Sequence, residues 1–534
     1  MSKFQAALTT IEAFFNASPK EDSAVAARHE LPAPPKRLIL GLMFALVIYV
    51  IVRGVAAAAV RTFLFDELLA LAVASQSSTR AMWNALSEGV DSQAPLFYLI
   101  ERAVLNVLKN KQIALRLPAI LALPCTLTCV FVYVRRKSSE FIAFLCAVLI
   151  LLTSLFHIYA VDGRAYGMVI ACIAFALVCY QRVPSPIWTI MLGVSLILAE
   201  LLHYYAIFSM LPFWVAEFVY ILRARRFRWQ VSAALALGPV PLLLFWPWIS
   251  HLRALLGPHI WTHYGLSSIP LTYGGFFLTG GAFGFAVVSV CVVGIVGARL
   301  LTAEGKSGER VERDPVEAAL LLALLALPFP TALAVNLMHG AMLDRYLLAS
   351  ALGVALTMAC VMSWARERVV LLFAVFVFSS VAVHEFTFWR SVHSLRLDNL
   401  APPVEALIQK AGHPDLPVVV SDGVTYLQLA YYAPPEWKKR FVSLEDSEKA
   451  VKYSGTDSID KNLVILRPYM PIQVDALLEF VAAHPAFLLY VEDPGAGFDW
   501  LPGYFSEVAS SVQVVVVEAN RKVYLVTMKA EASR

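Results

Sequence analysis

The chain has 534 residues, of which 59% are apolar and 15% charged, and a formal net charge of +4. Soluble domains hold roughly 45–50% apolar residues, so most of this chain is excluded from being an ordinary soluble enzyme, and with no basic stripe it is not a nucleic-acid binder. Charge is also divided: from Ser391 onward 13 Lys/Arg face 18 Asp/Glu, leaving 30 basic and 21 acidic residues in front, so a basic apolar portion joins an acidic, soluble-looking one.

A polar stretch from Met1 to Pro35 leads into Arg37–Val60, which is long enough to span a bilayer rather than to serve as the short core of a cleaved signal. Eleven apolar windows of spanning length follow this rule: Arg37–Val60, Ile113–Val134, Ser139–His157, Arg164–Gln181, Ile187–His203, Tyr205–Leu222, Val231–Ile249, Gly274–Leu300, Val316–Leu337, Leu343–Trp364 and Val369–Glu385. Lys and Arg favour cytoplasmic loops. With the N-terminus inside, the inner turns are Arg135–Lys137, Arg182, Arg223–Arg228, Lys306–Arg313 and Arg366–Arg368, and every one is basic. The same order places the C-terminal part outside.

Pro95–Leu108 is apolar but short and interrupted by Glu101 and Arg102; as a span it would invert every later loop, so it is expected on the membrane surface as an amphipathic helix. Leu68–Val73 is expected as a second, shorter interfacial helix. The domains expected are a cytoplasmic segment 1–36, a transmembrane domain 37–388 whose first external loop is 61–112, and an external domain 389–534.

In that last domain Val418–Val420, Leu463–Leu466, Phe487–Val491, Val512–Val517 and Val523–Thr527 read as strands, whereas Gly423–Tyr432 and Val474–Ala483 have helical periodicity. Strands alternating with helices predict a small α/β layer closed by a hairpin at Asn520–Arg521. All seven cysteines lie in apolar segments and read as small buried hydrophobes.

The residues that could carry chemistry gather at the outer ends of the spans. Asp66-Glu67 follows the first span, and Asp91 precedes Ala94-Pro95-Leu96-Phe97-Tyr98. Either set of acids can begin a helix, where the dipole favours negative charge, yet carboxylates at a membrane surface are costly unless charge is needed there. They could take a proton from a hydroxyl or hold a metal ion. Asp162-Gly163-Arg164-Ala165-Tyr166 joins the third and fourth spans, His203-Tyr204-Tyr205 turns between two more, and Asp344-Arg345-Tyr346 opens the tenth. A guanidinium matches phosphate oxygens in fork geometry, although arginines at such depth also snorkel. His251, His259 and His263 share one external loop without a Cys or acid beside them, so they are read as no metal site.

Four of these motifs, in order and on one face, resemble the polyprenyl-phosphate-dependent glycosyltransferases of the GT-C superfamily, and within it the bacterial protein mannosyltransferase and aminoarabinose transferase clan. The likeness rests on Asp66-Glu67; Asp91 with Pro95-Leu96-Phe97-Tyr98; Tyr159 with Asp162-Gly163-Arg164-Ala165-Tyr166; and Arg345-Tyr346-Leu347, and covers roughly Arg37 to Glu385. The family's His-Pro-Pro is here Gln93-Ala94-Pro95, and the Glu of its third motif is Asp162. The resemblance implies a polytopic α-helical membrane enzyme of the bacterial inner membrane with an external, periplasmic C-terminal domain. It implies a sugar donor linked to polyprenyl phosphate, a lipid, glycan or protein acceptor, and inversion at the anomeric carbon.

By the same resemblance Asp66 is the general base and Glu67 or Asp91 positions the acceptor. Arg164 and Arg345 hold the departing phosphate, with Asp162, Tyr166, His203 and Tyr346 in the donor site. Metal dependence stays open: Asp66 and Asp91 would share a divalent cation (Mg, Mn or Zn) if one is used. The competing reading is a transporter or lipid flippase with an external ligand-binding domain; transporters place charge near the midplane and often repeat their halves, whereas here charge gathers at one surface and no repeat is visible.

Overall fold

The computed structural model describes residues 35–256, 259, 262, 264–275, 314–338, 342–395, 401–492 and 497–529. The segment 1–34, most of the expected span Gly274–Leu300, the basic turn Lys306–Arg313, Cys291 and His263 lie outside the described residues.

The membrane portion opens with α1 (Lys36–Val60), α2 (Phe65–Ala74), α3 (Thr79–Ser87) and α4 (Pro95–Val107). There follow α5 (Lys111–Val134), α6 (Glu140–Ile150), α7 (Ser154–Tyr159), α8 (Tyr166–Tyr180), α9 (Pro186–Leu202) and α10 (Ala206–Ala224). The rest are α11 (Trp229–Leu237), α12 (Val240–Leu256), α13 (Ile269–Gly275), α14 (Pro315–Leu325), α15 (Pro328–Met338), α16 (Ala349–Trp364) and α17 (Glu367–Leu395). Among the described residues five helical stretches are long and apolar enough to cross a membrane, and α14 with α15, bent by 53°, makes a sixth if the pair is one span. The helices α6, α8, α9 and α16 are apolar but shorter.

Their outward faces carry large apolar side chains, among them Phe44, Leu243, Leu244, Leu372 and Phe386. Such a belt suits lipid and not water, so this is a membrane protein. The inner packing is made by α8 against α5 and α9, and by α10 against α14.

Several expected spans are broken. The window Ser139–His157 stops as α6 at Ile150 and resumes as the short α7. Val231–Ile249 is interrupted at Gly238-Pro239 and Val316–Leu337 at Pro328, where a missing N–H and the proline ring block helix continuation. Leu343–Trp364 begins with a 3-10 turn, Asp344–Leu347, before α16. The last helix runs through the domain boundary expected at 389 and ends at Leu395.

Between α1 and α5, Pro95 at the first helical position starts α4. The segment Leu68–Val73 is not a surface helix. It is the centre of α2, nine of whose ten residues are buried.

The C-terminal portion comprises α18 (Ala401–Lys410), β1 (Val418–Val420), α19 (Gly423–Tyr432), α20 (Pro435–Lys438), β2 (Phe441–Glu445) and α21 (Ser447–Ser454). It continues with α22 (Ser458–Leu466), β3 (Val474–Ala476), α23 (Leu477–Ala483), β4 (Ala486–Glu492), α24 (Leu501–Val508), β5 (Ser511–Glu518) and β6 (Arg521–Thr527). The sheet order is β3-β2-β1-β4-β6-β5. The first four strands pair in parallel, and β6 joins β4 and β5 antiparallel.

The expected strands at 418, 487, 512 and 523 are present, and the closing hairpin turns at Ala519-Asn520. Leu463–Leu466 is the end of a helix instead: Ile459, Leu463 and Leu466 share one buried face at helical spacing, which the local run of aliphatic residues concealed. Val474–Ala476 pairs with β2 before its chain turns helical, and β2 itself had no expected counterpart.

Candidate active site

The helix α2 carries Asp66 and Glu67 in its first turn, where the N-terminal dipole favours acids. Glu67 closes that end by accepting from Leu64 N–H at 2.9 Å. Its carboxylate also accepts from Arg116 Nε (2.7 Å) and Nη2 (2.6 Å) and from Gly163 N–H (2.8 Å). Arg116 spends its remaining donors on the carbonyls of Ala58 (3.1 Å), Arg61 (2.8 Å) and Thr62 (2.9 Å). Neither side chain of this pair is exposed at all. Burial raises the Glu67 carboxyl, but Arg116 and the two N–H groups outweigh it and hold it below the ordinary range.

A carboxylate with four donors on two oxygens has nothing to offer a substrate. This geometry corrects the expected catalytic role of Glu67: the side chain ties α1, α2, α5 and the Gly163 turn together. Arg116 carried no expected role, and the signal available was a lone arginine in the first turns of an apolar span.

Asp91 is 4% exposed and takes a two-pronged pair from Arg164, Nη1 to Oδ2 at 2.5 Å and Nη2 to Oδ1 at 3.1 Å. Ser92 N–H adds a bond at 2.8 Å, and Arg164 Nη1 also donates to the Asp66 carbonyl at 3.0 Å. Arg164, expected to grip phosphate, is instead committed to Asp91 and to the backbone of the residue beside it. A third acid of this region, Asp162, is 4% exposed with Oδ1 unpartnered. Burial and the negative charge of Glu67 push its carboxyl up to about 7.

Asp66 is different, because it keeps access. Its side chain is 31% exposed, and Oδ2 meets Arg345 Nη2 at 3.0 Å. Burial raises its carboxyl, yet Arg164 and Arg345 together overcome this and hold it below its usual 3.8. Arg345 reaches it from the 3-10 turn Asp344–Leu347 and lies over the Tyr166 ring at 5.2 Å. Its Nε atom is buried without a partner.

Beside this pair opens a small cleft whose walls include Tyr166, His203, Tyr205, Arg345 and Tyr346. Tyr346 stacks on Tyr205 with ring centroids 4.3 Å apart, and His203 stands 5.0 Å from Tyr346 and 5.2 Å from Tyr166. His203 Nδ1 accepts from Tyr205 N–H at 3.1 Å, so the neutral ring carries its proton on Nε2. Gln93, where the resembled family has His, bonds Tyr166 Oη through Nε2 at 3.2 Å and leaves Oε1 buried and unpaired.

Thus Asp66, Asp91, Asp162, Arg164, Tyr166, His203, Arg345 and Tyr346 come together at one place, although their sequence positions span nearly three hundred residues. Glu101, which interrupts α4, is fully buried with both oxygens unpartnered. Burial and then Glu67 push its carboxyl well above the usual range. Arg102 beside it clamps the carbonyls of Ala74, Gln76 and Ser77.

Asp66 and Asp91 are each paired to an arginine, and among the described residues no three His, Cys, Asp or Glu side chains converge as a metal-holding group.

The helical layout with a C-terminal α/β layer is a fold found among solved structures. Two solved structures of ArnT from Cupriavidus metallidurans share it: the apo form gives a TM-score of 0.54 at 12% identity over 91% of this chain and 97% of that one. The form bound to undecaprenyl phosphate gives 0.51 at 14%, over 93% and 99%. An Archaeoglobus fulgidus oligosaccharyltransferase tethered to an acceptor peptide aligns at 0.46 with 10% identity, over 90% of this chain and 74% of its own. No protein-family model and no curated protein sequence matches the chain.

Proposed function

We propose that this protein transfers a sugar from a polyprenyl-phosphate donor to an acceptor hydroxyl or amine at the outer face of the membrane, with inversion. One observation carries the reading: Asp66, a partly exposed acid of the cluster, is paired with Arg345, which lines an aromatic cleft. Base and phosphate holder therefore stand one ion pair apart. ArnT's bound form holds undecaprenyl phosphate, which supports a lipid-phosphate donor here by fold likeness.

In this reading the phosphate draws Arg345 from Asp66. The freed carboxylate takes the acceptor proton as the acceptor's oxygen or nitrogen bonds to the anomeric carbon. The bond from that carbon to the phosphate oxygen breaks, and its electron pair stays on the phosphate, where Arg345 meets the growing charge. Stacked Tyr205 and Tyr346 offer faces for the sugar, and His203 Nε2–H offers a donor. Arg164 and Asp91 hold the Asp66 backbone still, and no step passes through a metal.

Replacing Arg345 by Lys tests the phosphate role. Lys keeps the charge but loses the fork, so donor affinity or rate is expected to drop about ten- to hundredfold, the worth of one charge-assisted bond. Equal donor affinity in Arg345→Lys and wild type, measured by titration with undecaprenyl phosphate, would remove Arg345 from that role.

The orientation follows from the basic inner turns and the eleven-span order. In a variant lacking the native cysteines, a cysteine placed at the exposed Glu448 is expected to react with an impermeant maleimide in intact cells. One at Arg136 should react only after permeabilisation. The reverse pattern would turn the molecule over and place the site on the inner face.

A further inference from the structure

The C-terminal layer touches the chain three residues before Asp66, and does so through polar bonds to backbone. Tyr432 Oη accepts from Phe63 N–H at 2.7 Å, and Gln428 Nε2 donates to Phe63 O at 2.8 Å. The two residues are one turn apart on α19, hence on one face. Tyr432 Oη also accepts from Gln112 Nε2 at 3.3 Å, at the start of α5, the helix that carries Arg116. Phe63 is wholly buried, with its ring edge-on to Tyr431 at 5.9 Å and under the Arg116 guanidinium at 4.9 Å.

The segment leading into α2 is thereby bonded at successive positions. Arg116 holds the carbonyls of Arg61 and Thr62, α19 holds both polar groups of Phe63, and Glu67 holds Leu64 N–H. Two of those five bonds come from outside the membrane portion.

The helix that provides it is a stiff mount. Asp422 caps it by accepting from Val424 N–H (3.2 Å) and Thr425 N–H (3.3 Å). Tyr426 Oη both donates to Gln473 O and accepts from Gln473 N–H, each at 2.6 Å, which pins the helix to the strand β3 side of the sheet. Gly423 lets α22 close on it, since a Cβ there would stand 2.6 Å from Ile459 Cγ2.

We infer that the C-terminal domain is part of the catalytic frame: Gln428 and Tyr432 are positioning residues that hold the Phe63 backbone and through it set Asp66 opposite Arg345. This rests on Asp66 being the base. A displacement of a catalytic group by about 1 Å can cost on the order of a hundredfold in rate, so two lost backbone bonds three residues away suffice to matter. If α19 merely glues two domains together, the same bonds contribute to stability and leave the chemistry of a folded molecule unchanged.

The test uses the full chain with Tyr432→Phe, which keeps the ring, Gln428→Leu, which keeps the bulk, and the pair combined. Transfer of labelled sugar is measured beside peptide-level hydrogen exchange. The double variant is expected to lower kcat about 10- to 100-fold with donor KM unchanged within about twofold. Exchange should rise in 61–67 while β1 and β4 stay protected. In an Asp66→Asn background the same double substitution should cause little further loss, because residues acting through one group are not additive.

A double variant with wild-type kcat, or one whose loss multiplies in full onto Asp66→Asn, would overturn the inference. Wild-type protein that transfers no sugar would overturn the function on which it rests, a result distinct from either.

Discussion

Asp66→Asn is expected to reduce turnover by roughly 10²–10⁴-fold, the usual contribution of general-base catalysis, with donor binding nearly unchanged. The substitution keeps the size of the side chain and removes its basicity. Expression should survive, because Asp66 is partly exposed and the helix end is closed by Glu67 rather than by Asp66. The pH profile adds a second reading. Arg164 and Arg345 hold the carboxyl below its usual 3.8, so Asp66 stays ionised through the neutral range and no acid limb from it should appear above that value. Replacing Arg345 by Gln removes one of those charges, so the folded carboxyl rises and the acid limb should move to higher pH. Near-normal turnover by Asp66→Asn would pass the role to another acid.

Arg116→Met is expected to have the largest effect on folding. It strands the wholly buried Glu67 carboxylate and three carbonyls at once. Breaking a buried pair by removing one partner costs about 3–5 kcal/mol, a large part of a typical stability of about 5–15 kcal/mol. Adding Glu67→Gln should return some of that loss by removing the uncompensated charge, and the lost carbonyl bonds should keep the rest. Thermal unfolding in detergent checks both. A single variant within about 1 kcal/mol of wild type would show that the pair is replaceable and that Glu67 does not anchor the site.

The fold was legible wherever a long apolar window met a clear stop. Ten of the eleven expected windows fall on described helices, of which five or six stretches are long and apolar enough to cross a membrane, and two of the breaks follow Gly238-Pro239 and Pro328, which are visible in the chain. Short elements were less legible. Leu463–Leu466 has strand-like composition, and only its packing with Ile459 reveals a helix, while β2 is five residues whose pairing with distant β1 and β3 makes it a strand.

In the site, residue types were readable but commitments were not. Arg164 and Arg345 look alike as arginines at the ends of spans. Only the contacts show that one is bonded twice to Asp91 while the other, paired with Asp66, lines the cleft. Asp66 and Glu67 are neighbours with opposite fates for the same reason, because one helical step turns Glu67 inward to Arg116 and leaves Asp66 open.

On the function proposed, Asp66 and Arg345 form a base and phosphate holder for sugar transfer at the outer face. The most direct measurement incubates purified full-length protein with a radiolabelled polyprenyl-phosphate sugar and a mixture of envelope lipids and peptides as acceptors. Wild type is expected to move label to an acceptor and release free polyprenyl phosphate in equal amount, with Asp66→Asn releasing little of either. Label that remains on the donor in wild type, or that moves equally well in Asp66→Asn and Arg345→Gln, would contradict the account.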